Sequence, residues 1–324
     1  TAEVEIYTLV AHELELGRAG VLAVWMLFLT GAVALAYAWL EKRLAAPARV
    51  TPVMRQKPAG GWQWLAVIGA LLVLLMVCAA PLVAIVLSAV VALWSGQGAA
   101  VLRDPQTLAA LWNTLRFSGG ALLLATALGL THALSVRALE AASLARHASE
   151  ARGWLALAWR AAAYLPFVVS PVTVAFGLLL LYPDLTANLA VLLAAYALLA
   201  YPFIAKSLTA ALDALPATVL QVASSLGANP WRVFWRVTLP MVAPALRRGM
   251  AFAAATALGE FAVTLFLSRP EWTTLTTLIH QRLGRPGAAN LDAAFVLAGV
   301  LMLLALLAFT LIEGPAKKDN RPHA

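Results

Sequence analysis

From Ala19 to Leu40 the chain carries no charged side chain, and from Trp64 to Trp94 it again carries none. Runs this long and apolar suffice to cross a bilayer as helices. In hydrocarbon only a helix or a closed barrel satisfies its own backbone, which narrows the choice of fold sharply. Long apolar stretches, each with one to three charges, recur at about Leu108–Leu134, Trp154–Leu181, Leu185–Leu212, Val242–Leu267 and Leu291–Ile312. The expected fold is all-α, a polytopic membrane protein with about seven transmembrane helices. Composition agrees: 62% hydrophobic and 12% charged residues leave too little polar surface for a soluble domain of 324 residues.

Charge then sorts the loops. Glu41–Gly61 contains Lys42, Arg43, Arg49, Arg55 and Lys57 among prolines and glycines, and Ser135–Gly153 contains Arg137, Arg146 and Arg152. Lys317, Lys318 and Arg321 follow the last span. Basic loops mark the cytoplasmic side, so the C-terminus is expected there. The same rule accounts for the net charge of +8 without any nucleic acid. Ser268–Asn290 departs from the scheme, because it is placed outside yet carries Arg269, Arg282 and Arg285. The single cysteine, Cys78, lies in an apolar span and excludes an internal disulfide or a cysteine-based metal site. Thr1–Val4 lacks the basic-then-apolar form of a signal peptide. Pro166 and Pro171 in the fourth span predict a kink or a broken segment.

One interruption between spans still reads as packed structure. Gln221–Pro240 runs Q-V-A-S-S-L-G-A-N-P-W-R-V-F-W-R-V-T-L-P. Leu220, Ala223 and Ser224 share a helix face, and Gly227 can stop that helix without a Cβ penalty. Asn229 as cap and Pro230 at the first position restart a helix. Trp231, Phe234 and Trp235 follow at helical spacing beside Arg232 and Arg236, and Leu239-Pro240 is expected to end the element. From these residues alone, an amphipathic helix with arginines facing lipid phosphates is the other reading.

The stretch resembles the EAA motif of ABC-importer permeases: E-A-A, three residues, Gly, nine residues, then I-x-L-P. Ala223, Gly227, Leu239 and Pro240 match, Val237 stands for Ile, and Gln221 and Val222 replace Glu and Ala. The missing carboxylate at Gln221 removes any salt bridge the family makes there. The resemblance implies a type I ABC-importer permease fold, with this element as the coupling helix that docks into a groove on the ATPase subunit. Its coupling residues would be Gln221, Ala223, Gly227, Asn229, Pro230, Trp231, Phe234, Leu239 and Pro240. The closing third, with Gly259-Glu260-Phe261, Ser268-Arg269-Pro270, Thr273–Arg285 and Leu283–Gly287, looks like the fused two-unit permeases for thiamine and ferric iron. The start, with V-E-I-Y and L-G-R-A, resembles the end of the first unit in the thiamine members. Thiamine is the leading solute on this resemblance, with ferric iron next.

A repeat supports that layout. Leu16-Gly17-Arg18-Ala19-Gly20 parallels Leu283-Gly284-Arg285-Pro286-Gly287, and in each case a span follows and ends at a glutamate, Glu41 or Glu313. Residues 1–41 would be the last outer segment and span of a preceding unit, 42–61 a basic cytoplasmic linker, 62–316 a six-span unit, and 317–324 a cytoplasmic tail. The plain alternative is an ordinary extra N-terminal helix.

Chemistry is sparse. No G-x-x-x-x-G-K-[ST] loop occurs, so ATP and magnesium would be held by a partner ATPase and this chain would be a permease, not an enzyme. The implied partners are two ABC ATPase subunits, a periplasmic substrate-binding protein, the first permease unit or a second permease copy, and lipid of the bacterial inner membrane. Glu260, inside the sixth span, is the clearest intramembrane charge and a candidate for the transport pathway or for helix packing. Asn113, Thr114 and Arg116 would line a vestibule or reach headgroups, and Lys206 is expected to snorkel. His132 and Ser135 lie one turn apart, but the nucleophile motif of a serine hydrolase is absent. The five histidines show no metal-binding spacing. An ion-coupled secondary transporter is the rival class; it suits a buried glutamate and proline-broken spans but leaves the Gly227-to-Pro240 spacing unexplained.

Overall fold

The structure is a computed structural model that describes residues 5, 6, 8, 9, 13, 15–44, 60–94, 96–143, 150–182, 184, 188–267 and 269–314. Most of the basic linker, the tail at 317–324, Pro183 of the expected outer turn, Ser268, Arg146 and His147 lie outside these residues. Among the described residues every regular element is helical. In chain order they are α1 (Leu16–Leu44), α2 (Gly61–Trp94), α3 (Gln97–Arg103), α4 (Pro105–Ser143), α5 (Glu150–Ala162), α6 (Leu165–Val168) and α7 (Pro171–Leu181). Then follow α8 (Leu189–Asp213), α9 (Ala217–Ser225), α10 (Pro230–Val233), α11 (Leu239–Leu258), α12 (Ala262–Leu267), α13 (Leu275–Leu283) and α14 (Ala288–Glu313).

Five of these, α1, α2, α4, α8 and α14, are long and apolar enough to cross a membrane. A bent pair, Glu150–Phe167 with Pro171–Leu179, turned by 96°, is long and apolar enough only when its two halves are taken together, as a broken span or a re-entrant segment. The bend falls where the prolines predict it. Pro171 opens α7 with Ser170 as its cap, the Ser170 hydroxyl accepting the Val172 N–H at 3.3 Å. The expected sixth span, Val242–Leu267, does not reach the same length and apolarity. Arg247 and Arg248 lie within α11, and Gly259, Glu260 and Phe261 part α11 from α12.

Two wide turns of π type interrupt otherwise continuous helix, at Leu75–Ala79 and Phe234–Thr238. Each closes with a five-residue backbone bond, Ala80 N–H to Leu75 O and Leu239 N–H to Phe234 O. In each case the next residue is a proline, Pro81 or Pro240. Proline lacks the N–H that an α-turn would use, and its ring crowds the carbonyl four residues back. Widening the preceding turn relieves that conflict without breaking the helix. Leu239-Pro240 therefore does not end its element as expected; helix runs on from residue 230 to residue 258.

Two compact units can be distinguished. One is drawn from Thr1–Ala46, Asn113–Thr273 and Leu304–Ala324. Its core gathers around α8, where Leu192, Ala195, Tyr196 and Leu199 pack with Phe117, Ala257 and Val263, and Ile204 and Leu208 pack with Ala125, Ala133 and Val242. Glycines bring the helices together at Ile204. A Cβ on Gly129 of α4 would sit 2.7 Å from the Ile204 side chain, and one on Gly249 of α11 would sit 2.8 Å from its Cα. Small residues at crossings are how apolar helices approach closely in hydrocarbon. On α1, Ala34 and Ala38 meet Leu157, Ala161 and Tyr164, while Trp25, Phe28 and Leu29 point away and are exposed. An apolar face left uncovered on a membrane helix is open to lipid or to another membrane helix.

The other unit is drawn from Pro47–Trp112 and Thr274–Leu303. There Asp104 caps α4 by accepting the Gln106 N–H at 2.9 Å, and it also accepts a 3.1 Å bond from Arg282. This pair offsets one of the three positive charges that conflicted with an outer placement of residues 268–290. Thr274 and Thr277 form a reciprocal capping box at the start of α13.

Candidate functional site

α9 follows α8 after a short turn and ends at Ser225. Gly227 has a φ of +79°, and the Ala228 N–H reaches the Ala223 carbonyl at 3.2 Å, the wrap that closes a helix on a left-handed residue. The Asn229 side chain accepts the Arg232 N–H at 2.8 Å and Pro230 occupies the first position of α10. The local chemistry read from the sequence is thus the chemistry that forms. Gln221 is exposed, Ala223 half-buried, and Leu239 half-buried beside an exposed Pro240.

The element has two sides. Beneath it, Leu220, Ala228, Val233, Phe234 and Thr238 line a groove of about 400 Å³ with Arg137 and Leu212. On the open side Trp231 is 69% exposed, Trp235 49% and Leu226 82%. The two tryptophan rings meet edge-on at 5.5 Å, and Phe234 holds Trp235 at 5.4 Å, also edge-on. Arg232 and Arg236 are exposed beside them. Large aromatics clustered with arginine on an exposed surface have the composition of a binding hot spot. Phe234, half-buried and turned to the groove, is a support more than a surface anchor.

Arg137 on α4 donates to the Leu212 carbonyl at 3.1 Å. Arg160 on α5 binds Glu140 on α4 at 3.1 Å and Asp213 at the end of α8 through a 2.6 Å contact, and its side chain is only 11% exposed. A shielded arginine bridging two carboxylates ties three helices at the point from which α9 departs. Sequence reading missed Arg160; the signal was a charge inside the apolar stretch Trp154–Leu181.

Glu260 does not join this element. It is 7% exposed, and its Oε1 accepts the Val263 N–H at 3.0 Å at the start of α12. The Tyr196 hydroxyl bonds Thr264 and reaches the Glu260 carbonyl at 3.4 Å. The carboxylate thus satisfies backbone donors that a helix start would otherwise leave unpaired in an apolar core. Asn113 likewise holds backbone, donating to the Glu271 carbonyl at 2.8 Å and the Thr273 carbonyl at 3.0 Å.

Ser135 and His132 do not form a nucleophile pair. The Ser135 hydroxyl donates to the His132 carbonyl at 2.8 Å and accepts the Trp159 indole N–H at 2.7 Å. Lys206 does not extend along lipid as expected. Its Nζ sits 4.3 Å from the Tyr164 ring, 5.2 Å from Tyr37 and 5.6 Å from Phe167. Among the described residues no cluster of His, Cys, Asp and Glu could hold a metal ion.

Comparison with known proteins fits this geometry. A protein of Salmonella typhimurium named as a 2-aminoethylphosphonate transport system permease is 28% identical over 247 residues, covering 74% of this chain and 89% of its own. A sulfate transport system permease of Synechococcus elongatus is 29% identical over 49% of this chain and 62% of its own. A molybdenum transport system permease of Escherichia coli is 34% identical over 34% of this chain and 51% of its own. Among solved structures, a bacterial alginate ABC transporter in complex with its pentasaccharide-bound periplasmic protein superposes with a TM-score of 0.57 at 18% identity. The match covers 78% of this chain and 92% of that one. An inward-facing methionine ABC transporter gives 0.51 at 16% identity, covering 64% and 94%. Residues 139–313 match the family described as binding-protein-dependent transport system inner membrane component. The chain is a member of that family, the multi-pass inner-membrane permease subunits of type I ABC importers.

Proposed function

We propose that residues 221–240 are the element through which a separate ATPase subunit drives this permease. The observation that carries the proposal is the exposed Trp231–Trp235 pair beside Arg232 and Arg236, on a turn braced from beneath by Phe234. The Arg160 bridge to Asp213 and Glu140 is the structural support for such a lever, because α9 begins only a few residues beyond Asp213. Trp231, Trp235 and Leu226 would fill the docking surface, while Gly227 and Asn229 set the angle at which it is presented. A second permease unit would complete the pathway, and a periplasmic binding protein would deliver the solute.

For the solute, the relatives' names support a small oxyanion, and that reading now leads. Thiamine, with ferric iron next, rests on Gly259-Glu260-Phe261 and Leu283–Gly287. The Glu260 carboxylate could attract a cationic solute, but its Oε1 is already engaged by the Val263 backbone N–H. Reconstitution in liposomes with the ATPase and binding protein tests both parts. Sulfate, molybdate, 2-aminoethylphosphonate, thiamine and ferric iron would be offered separately. ATPase stimulation by one of the anions is the expected result; stimulation by thiamine alone reverses the order. No ATPase binding, with uptake driven by an ion gradient, would remove the coupling assignment.

A further inference from the structure

Lys206 lies within α8, an apolar spanning helix, and among the described residues no carboxylate pairs with it. Three aromatic rings surround its ammonium, which offsets part of the desolvation of a cation but supplies no counter-charge. The amino group opens on a small pocket that His132, Arg160 and Thr209 also line, with Tyr164 at its wall. The acids that balance Arg160, Glu140 and Asp213, are not part of that lining. His132 is buried and stacked on Trp159 at 5.1 Å, and its Nε2 has no hydrogen-bond partner. A buried polar nitrogen without a partner is costly and rare in a folded core, as is an unneutralised charge at membrane depth.

We propose that this pocket is a binding site for a small inorganic anion, held by Lys206 and His132 with the Arg160 guanidinium alongside. The free volume is about 20 Å³, room for one water-sized group and far too small for a ring system. A halide fits that space whole; a tetrahedral oxyanion would insert one oxygen. The ligand supplies the negative charge that Lys206 lacks and an acceptor for an N–H of His132. It also approaches the guanidinium that holds Asp213, so occupancy bears on the base of the coupling element. The proposal does not require the anion to be the transported solute, and it stands whether or not residues 221–240 meet an ATPase.

The test is equilibrium binding of radiolabelled chloride and, separately, sulfate to the full chain in detergent or nanodiscs. Wild type is expected to bind one of them saturably, and Lys206→Met to bind it at least about tenfold more weakly, as befits loss of a charge-assisted contact. His132→Phe keeps the stack on Trp159 but removes the ring nitrogens, and is expected to weaken binding as well. Lys206→Arg, which keeps the charge, serves in place of Lys206→Met if the latter elutes as aggregate; it should bind more tightly than His132→Phe. Saturable chloride without sulfate binding identifies a halide site, and the reverse an oxyanion site. No saturable binding of either up to about 0.15 M salt, or equal affinity in wild type, Lys206→Met and His132→Phe, overturns the proposal.

Discussion

The helices α10 and α12 both begin on a polar side chain that accepts a backbone N–H, and they differ in where that side chain sits. Asn229 caps α10 in the open and presents Trp231 and Trp235 outward. Glu260 caps α12 while 7% exposed, within a core containing Tyr196, Thr264 and Val263. The local chemistry is nearly the same. Water can replace the cap at Asn229, so the residue shapes a surface; nothing can replace it at Glu260, so the residue holds the fold. A buried carboxylate can thus serve a helix start, and a neutral cap on an exposed turn can set the surface presented beyond it.

Substitutions sharpen the contrast. Glu260→Ala leaves buried N–H groups unpaired and is expected to cost about 2 kcal/mol or more, read as a lower unfolding midpoint in detergent. Glu260→Gln keeps an accepting oxygen and should lose much less; an equal loss for both would mean that the charge, not the cap, is what matters. Trp231→Ala with Trp235→Ala removes the exposed anchors and is expected to weaken ATPase-subunit binding by about tenfold or more. The unfolding midpoint should stay unchanged, and a drop comparable to that of Glu260→Ala would mean the pair belongs to the core. Gly227→Leu places a side chain at φ +79°, where strain of about 1–2 kcal/mol is expected. No atom crowds the position, so insertion should survive while solute-dependent ATPase activity falls. Asn229→Ala should cost about 1 kcal/mol or less, and Asn229→Asp should restore it, in the same midpoint assay.

Much of the candidate element was legible because it depends on neighbours in sequence. Gly227 ends a helix since a left-handed residue suits glycine, and Asn229-Pro230 starts one since both residues act within a single turn. What followed Pro240 was misjudged for a related reason. Proline signals a stop locally, yet the wide turn at Phe234–Thr238 lets the helix pass through it. The Leu-Gly-Arg repeat shows the same limit. Residues 16–20 open α1 as helix, whereas 283–287 close α13 and turn, with Gly287 at φ +115°. Similar residues took different backbones because the second copy carries Pro286 where the first carries Ala19.

By itself the sequence determined that the chain spans a membrane as helices, because long uncharged runs have no other stable backbone in hydrocarbon. It also determined where the 221–240 element bends, because caps and glycine act over a few residues. Only the tertiary structure decided which charges are spent on architecture. Glu260 meets its own backbone three residues away, Arg160 meets Glu140 and Asp213 from two other helices, and Lys206 meets rings from α1 and the α5–α6 bend rather than an acid. The cost of a charge in an apolar environment depends on what surrounds it in space, and only folding brings those groups together.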